Sequence, residues 1–150
     1  MSYHTPEAKT EQAFKAMFDA LSDTDLNGVQ LIQRGSVDDI ATPSLSIIAS
    51  KCDPADSGEG PSGNWFVSVD FTLNTHYKEN SIVAHDEWLG VITDLVCDQT
   101  VVTTLNALMK EEEFTAMQWT LGSREHSIQD HLFVSKVSGV LYMLPSKEGD

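Results

Sequence analysis

The stretch that decides the fold of this chain is Trp65-Phe66-Val67-Ser68-Val69-Asp70-Phe71-Thr72-Leu73-Asn74. Its odd-numbered residues are all large and apolar, whereas four of its five even-numbered residues are polar. Because successive side chains of a β-strand point to opposite faces, this alternation predicts a long strand with one buried face and one mostly wet face. We expect the buried face to pack against helices through Trp65, Val67, Val69, Phe71 and Leu73.

The segment before this strand predicts a hairpin with a long tip. Leu45 to Cys52 is apolar on both faces, which is typical of a strand inside a sheet. Between the two strands, Asp53–Gly63 consists of turn formers, acidic residues and almost nothing apolar. We therefore expect this segment to be a long hairpin loop, and loops of that size are usually mobile or functional.

The N-terminal part of the chain predicts a helix and a short strand. Thr5-Pro6-Glu7 supplies a capping hydroxyl, a proline for the first helical position and an acidic first turn. An apolar stripe predicts a helix over about residues 7–22. The stripe consists of Phe14, Met17, Phe18 and Leu21. Val29 to Gln33 predicts a short strand that stops at Arg34-Gly35, and Ser36 to Pro43 predicts a polar connection.

From Val83 onward the apolar residues recur at helical spacing. Two stripes predict two helices on either side of Cys97-Asp98-Gln99-Thr100, with Asp98 or Thr100 as the cap of the second helix. The first stripe is Trp88, Leu89, Ile92, Leu95 and Val96, and the second is Val101, Leu105, Leu108 and Met109. Glu111-Glu112-Glu113 predicts a solvated corner at the end of the second helix.

The last third of the chain predicts two more strands. The first runs from Phe114 to Leu121, with Met117, Trp119 and Leu121 on one face. The second lies within His131 to Leu144 and bends at Ser138-Gly139, and the two are separated by a polar connection, Gly122 to Asp130. Residues 145–150 form a polar tail that we expect to be loose.

The predicted order of elements is α-β-β-β-α-α-β-β. A hairpin between consecutive strands and a late pair of strands favour a mostly antiparallel sheet with the helices packed on one face. The fold class is therefore α+β, and residues 1–150 are long enough for one domain with a sizeable core.

The charge of the chain excludes some classes of function. It has 9 basic and 23 acidic residues and a formal net charge of −14. Tight binding to a nucleic-acid backbone or to an anionic membrane needs a basic surface, which nine scattered basic residues do not supply. The N-terminus lacks the basic and apolar regions of a secretory signal, and no apolar run approaches the length of a membrane span.

Two cysteines, Cys52 and Cys97, lie in apolar segments and form no metal-binding motif. We interpret both as reduced core residues of a protein that folds in a reducing cytoplasm. A bridge between them stays an open alternative.

The sequence offers little that is typical of catalysis or metal binding. The five histidines show no metal-ligand spacing, and His126 and His131 are five apart, so on one strand they would point to opposite faces. His85-Asp86-Glu87 could place a carboxylate beside a general base. We favour a structural interpretation, with His85 near a helix cap and the two acids in the first turn, where they favour the helix dipole.

Other candidates have structural interpretations too. Asp38-Asp39 and Glu111-Glu112-Glu113 have no complementary residues at a fixed spacing, so we interpret them as solvated surface. Gly58-x-Gly60-x-x-Gly63 precedes a strand instead of following one, which is the wrong context for nucleotide binding. We therefore expect no catalytic residues, no cofactor and no metal.

The order of elements and several short motifs resemble the tail-terminator, or tail-completion, proteins of long-tailed bacteriophages and related minor neck proteins. After the N-terminal helix, the matching motifs are Arg34-Gly35, Pro43-Ser44-Leu45-Ser46-Ile47-Ile48-Ala49, Trp65–Leu73, His85-Asp86-Glu87, Leu105-Asn106-Ala107-Leu108 and Phe114-x-x-x-Gln118-Trp119. The resemblance spans most of the chain.

The resemblance implies a non-enzymatic virion protein of the tail or neck, assembled in the host bacterial cytoplasm. It implies a hexameric ring that caps the tail tube, stops its polymerisation and joins it to the head connector. Phage DNA passes through such a ring, and an acidic wall would not hold it. By analogy, the hairpin loop contacts a neighbouring subunit or the tube protein, and its candidate contact residues are Asp53, Pro54, Asp56, Glu59, Pro61 and Asn64.

Three alternatives to a tail terminator stay open. One is a head–tail adaptor or another neck protein. Another is an acidic, DNA-mimic-like module that binds a nucleic-acid-binding protein. The third is a small cytoplasmic enzyme.

Overall fold

The computed structural model describes residues 5–29, 31–34, 43–54, 64–76, 81–109, 114–129 and 131–145. These residues form three helices: α1 (Pro6–Asp19), α2 (Ser81–Cys97) and α3 (Val101–Met109). They also form five strands: β1 (Leu31–Arg34), β2 (Ser44–Pro54), β3 (Trp65–His76), β4 (Phe114–Gln129) and β5 (Leu132–Pro145). The predicted α+β class and element order are confirmed.

The strands form one five-stranded sheet in the order β1-β2-β3-β5-β4. The β1–β2 pair is parallel, and the other three pairs are antiparallel, as predicted for most of the sheet. The strand predicted to lie inside the sheet, β2, does so between β1 and β3. The helices cover one face, and we call the opposite face the open face.

The core is built on β3, as its alternating sequence predicts. Val67, Val69, Phe71 and Leu73 are at most 1% exposed. From α1, the rings of Phe14 and Phe18 meet the Phe71 ring edge-on, at centroid distances of 4.9 and 5.3 Å. These contacts fix α1 against the middle of the sheet, and edge-to-face aromatic pairs add to the free energy gained from burial alone.

Helix α1 begins where the sequence predicts and ends earlier. The Ala8 N–H donates to Thr5 Oγ1 at 3.0 Å, and Pro6 is the first helical residue. The helix ends at Asp19, so its predicted end at about residue 22 is wrong. A turn follows, in which Leu26 is fully buried and anchors the chain to the core.

The largest difference between the prediction and the structure lies in strand β4. It continues to Gln129, so the predicted polar connection over residues 122–130 is wrong. Its pairing with β5 is irregular between Ala116 and Gln118 and between Leu121 and Arg124. The first irregularity moves Met117 off the predicted buried face: Met117 is 50% exposed, whereas Ala116 is 2% exposed.

Two helical side chains bind backbone groups at irregular points of the sheet. Asn106 of α3 donates to the Ala116 carbonyl at 2.9 Å and accepts from the Ala116 N–H at 2.7 Å. Glu11 of α1 accepts from the Ala49 N–H at 2.8 Å, where the β2–β3 register shifts. Each bond satisfies a backbone group at a break in the ladder.

Strand β5 is continuous, so the bend predicted at Ser138-Gly139 is wrong. Gly139 serves another purpose, because a Cβ at this position would collide with the indole ring of Trp119. The Trp119 Nε1–H donates to the Val96 carbonyl at 2.9 Å, which links β4 to α2. The glycine therefore allows the close approach of a tryptophan that joins two elements.

Both cysteines are free thiols. Cys97 is exposed at the end of α2, so its predicted place in the core is wrong. Cys52 is half-buried, and burial together with the nearby Glu7 carboxylate raises the pKa of its thiol to about 12. At neutral pH Cys52 is therefore a protonated and unreactive thiol.

Candidate functional site

The structure describes three of the six predicted loop residues, and it places them at one end of the sheet. Asp53 and Pro54 end β2, and Asn64 directly precedes β3. The Asn64 Nδ2 donates to the Tyr142 hydroxyl at 3.1 Å, and Asp53 Oδ2 lies 3.4 Å from Lys51 Nζ. Asp56, Glu59 and Pro61 lie outside the described residues, as do His4, Asp38-Asp39 and Glu111-Glu112-Glu113.

An exposed group of large side chains lies beside this end of the hairpin. Phe66 is 43% exposed on the open face, and its ring packs on Tyr142 of β5 at a centroid distance of 4.9 Å. Tyr142 pairs in turn with Gln118, next to the exposed Met117. We call Phe66, Met117 and Tyr142 the hairpin-end patch. It is the kind of surface that protein–protein contacts use, since aromatic residues and methionine are enriched at interfaces.

The acidic residues are unevenly divided between the helices and the sheet. Residues 5–28 and 81–109, which carry the helices and their turns, contain nine acidic and two basic residues. The five strands contain three acidic and four basic residues. The helical side is therefore strongly negative, whereas the strands are close to neutral.

At the opposite end of the sheet, four polar side chains form a continuous hydrogen-bonded chain. His85 Nδ1 lies 2.8 Å from Thr75 Oγ1, and His85 Nε2 lies 2.8 Å from Ser135 Oγ. Ser135 Oγ lies a further 2.8 Å from His126 Nδ1. The chain ties α2 to β3, β5 and β4 in turn, and Thr75, His85 and Ser135 are each at most 4% exposed. We call these four residues the histidine chain.

The proton positions in the histidine chain are linked, because Ser135 has one hydroxyl proton. If His126 donates to Ser135, then Ser135 donates to His85 Nε2, and His85 Nδ1 donates to Thr75. If Thr75 donates to His85 Nδ1, every bond reverses, and Ser135 donates to His126. Burial lowers the pKa of His85; Asp86 opposes this shift and His126 adds to it. A neutral His85 fits both arrangements.

A cavity of about 390 Å³ opens beside the histidine chain. Apolar side chains from α2, β4 and β5 form much of its wall, and Ser135, His85 and His126 form a polar end. Its lining is Ile82, His85, Asp86, His126, Ser127, Ile128, Phe133, Val134 and Ser135. The Phe133 ring also packs on the His85 ring at a centroid distance of 5.7 Å. A concave, largely apolar site with a few convergent polar groups is typical of ligand binding.

The structure corrects the interpretation of His85-Asp86-Glu87. Helix α2 begins at Ser81, so the two acids do not lie in its first turn, and His85 is a buried residue instead of a cap. Neither does Asp86 orient His85, because both ring nitrogens bond to hydroxyl groups. Without a bonded carboxylate, the His85–Ser135 pair lacks the group that stabilises an imidazolium in serine hydrolases.

Sequence reasoning missed Thr75 and Ser135, and it considered His126 only as a metal ligand. A signal was present in β3, because Thr75 continues the inward alternation of residues 65–73 with a polar side chain. The expected opposition of His126 and His131 on one strand is wrong, because His126 lies in β4 and His131 lies in the turn before β5. Ser135 is found only through its register partner, His126.

Among the described residues, no group of three or more His, Cys, Asp or Glu side chains could hold a metal ion. In the same part of the chain, no helix has the length and apolar character needed to cross a membrane. Comparisons with known proteins give no family: no protein-family model matches the chain, and a search of curated proteins finds no relative.

Proposed function

We propose that this chain is a structural virion protein that acts as a phage tail terminator. Copies of the chain form a hexameric ring that caps the tail tube, stops its growth and joins it to the head connector. The proposal is supported by the resemblance of the chain to that family, which rests on its short motifs and on its order of elements.

The observation that carries the proposal is the separation of charge. A ring brings six copies of a chain with a formal charge of −14 into contact, so the acidic charges must lie away from the contacts or be paired within them. The near-neutral sheet with its hairpin-end patch provides such a surface. The acidic helical side is then left for surfaces away from the subunit contacts, including the wall past which DNA moves without being held.

Ring formation tests the proposal directly. We expect the purified chain to form rings of six by mass photometry and electron microscopy, alone or on addition of tube protein. Phe66→Ser removes the most apolar ring of the hairpin-end patch and should shift the population to smaller species. Val83→Ser is the matched control, because Val83 is 57% exposed on α2, away from this patch. A chain that stays monomeric and leaves tube growth unchanged contradicts the proposal.

A second candidate function is favoured by the acidic helical side. Helices α2 and α3 with their connecting turn contain four acidic residues and no lysine or arginine. Such a surface suits a DNA-mimic-like module that binds a basic protein. A monomer or dimer that binds a nucleic-acid-binding protein tightly, with strong salt dependence, would favour this candidate over a ring. A head–tail adaptor would form a ring as well, but it would bind the connector without stopping tube growth.

A further inference from the structure

The cavity beside the histidine chain has exposed apolar walls. Ile82 and Ile128, which both line it, are 43% and 63% exposed. Phe133 and Val134 complete the apolar lining. Covering these side chains removes apolar surface from water, which favours a ligand with an apolar body. The volume of about 390 Å³ lies within the range of small-molecule sites.

The polar end of the cavity offers hydrogen-bond acceptors to a ligand. In both arrangements of the histidine chain, Ser135 Oγ donates one bond and accepts one, so one of its lone pairs stays available. The Asp86 carboxylate is a further acceptor in the lining. The described residues that line the cavity include no lysine or arginine, so Asp86 gives the cavity a negative charge.

We propose that this cavity binds a small molecule with an apolar, aromatic body and a hydrogen-bond donor at its end, neutral or cationic, as in an arylalkyl amine. The body packs on Ile82, Ile128 and Phe133, and the donor bonds to Ser135 Oγ. A positive charge on the donor is favoured by Asp86, and a carboxylate in the same place is repelled. This site does not depend on ring formation, since it lies at the end of the sheet opposite the hairpin-end patch.

Three probes of similar shape test the chemistry of the ligand: phenethylamine, phenethyl alcohol and 3-phenylpropionate. Each is titrated into the full chain at neutral pH while the methyl signals of the isoleucines are followed by NMR. We expect the amine and the alcohol to shift Ile82 and Ile128 saturably and to leave Ile92, which is 1% exposed in the core, unshifted. The carboxylate should bind more weakly than both.

Two substitutions assign the roles of the polar groups. Asp86→Asn should reduce the preference for the amine over the alcohol by roughly twofold to fivefold, as expected for an exposed charge. Glu87→Gln, the neighbouring exposed acid outside the cavity lining, should leave this preference unchanged. Ser135→Ala should weaken the alcohol by roughly threefold to tenfold through the lost hydrogen bond.

The proposal is overturned if no probe shifts Ile82 and Ile128 saturably, or if the carboxylate binds best. It is also overturned if D86N and E87Q change the amine preference equally. D86N alters an exposed side chain, so its result stays informative even if loss of a buried hydroxyl prevents S135A from folding.

Discussion

At the scale of single residues, polar groups buried inside the core depend on one another. His85, Thr75 and Ser135 are buried at one end of the sheet, and each satisfies its neighbour through a bond of 2.8 Å. Leaving one member without its partner costs the desolvation of a polar group, about 1–3 kcal/mol. The histidine chain therefore links the position of α2 to the protonation of a single imidazole.

The stability of the fold should fall in acid through His85. Burial lowers the pKa of His85 in the folded state, so the unfolded chain binds this proton more readily. The contribution of a neutral His85 is complete above the ordinary histidine pKa of 6.5 and is lost as the pH falls below it. His85→Gln should flatten this dependence, as measured by urea unfolding on both sides of that pH.

His76→Gln is the control for this prediction, because His76 is exposed at the end of β3. An H85Q variant whose stability falls in acid as steeply as that of the parent would show that other groups set the pH dependence.

Val69 tests the register of the central strand. Val69→Asp places an unpaired charge on the buried face, at a position that is 0% exposed. We expect a loss of several kcal/mol, enough to unfold a domain of ordinary stability. Circular dichroism on heating measures this loss, and Ser68→Asp puts the same charge on the open face as a control. A V69D protein that melts with the parent would contradict the assigned faces.

At the scale of elements, the sequence predicts those strands and helices that bury one face. Strand β3 follows its alternation for twelve residues because helices cover one side throughout. Strand β4 escapes prediction because its second half, residues 122–128, is exposed at the sheet edge. An exposed strand needs no alternation of apolar and polar side chains. In addition, the register shifts at Ala116/Gln118 and Leu121/Arg124 interrupt the alternation along β4. A contact such as that of Glu11 with the Ala49 N–H joins residues 38 positions apart and leaves no local pattern in the sequence.

The candidate site likewise has parts that the sequence predicts and parts that it does not. The sequence draws attention to the hairpin tip and to His85, because both stand out locally. It does not bring His85 to Ser135, which lies 50 residues away in sequence and meets it only through the pairing of β3 with β5. The cavity exists only after that pairing.

Shortening the hairpin loop tests whether this loop contributes to ring formation. Pro54 pairs with Trp65, so replacing residues 55–64 by Asn-Gly joins the two strands through a two-residue turn. We expect the shortened chain to keep its circular dichroism spectrum and to lose much of its ring formation and tube capping. A Gly/Ser segment of the original length is the control for loop length. Undiminished capping by the shortened chain would exclude the loop as a contact.

At the scale of the whole molecule, the fold is an acidic layer of helices on a nearly neutral sheet. The core is packed against β3, where aromatic rings from α1 and β4 meet Phe71. Because the acidic residues are concentrated on the helical side, electrostatic repulsion between two copies would be smallest at the open face, within the described surface.

Removal of metal ions should leave this molecule unaffected. A structural metal would add strongly to the free energy of unfolding, so a chelator would lower the melting temperature by many degrees. We expect the same melting temperature with and without EDTA, measured by circular dichroism or calorimetry. A large drop in the presence of EDTA would reveal a metal site that involves residues outside the described ranges.

The place of β5 in the sheet has a consequence for how the protein is made. Although it is the last of the described strands in sequence order, it lies between β3 and β4 and pairs with both along most of its length. A ribosome-bound chain that lacks residues 132–145 therefore has no strand to join β4 to β3 and the rest of the sheet. Completion of the sheet waits for β5, whose pairing with β3 joins segments far apart in sequence, and such non-local pairing is slow. Until β5 arrives, the edge of β3 that β5 covers stays unpaired, and an unpaired strand edge is open to pairing with other chains.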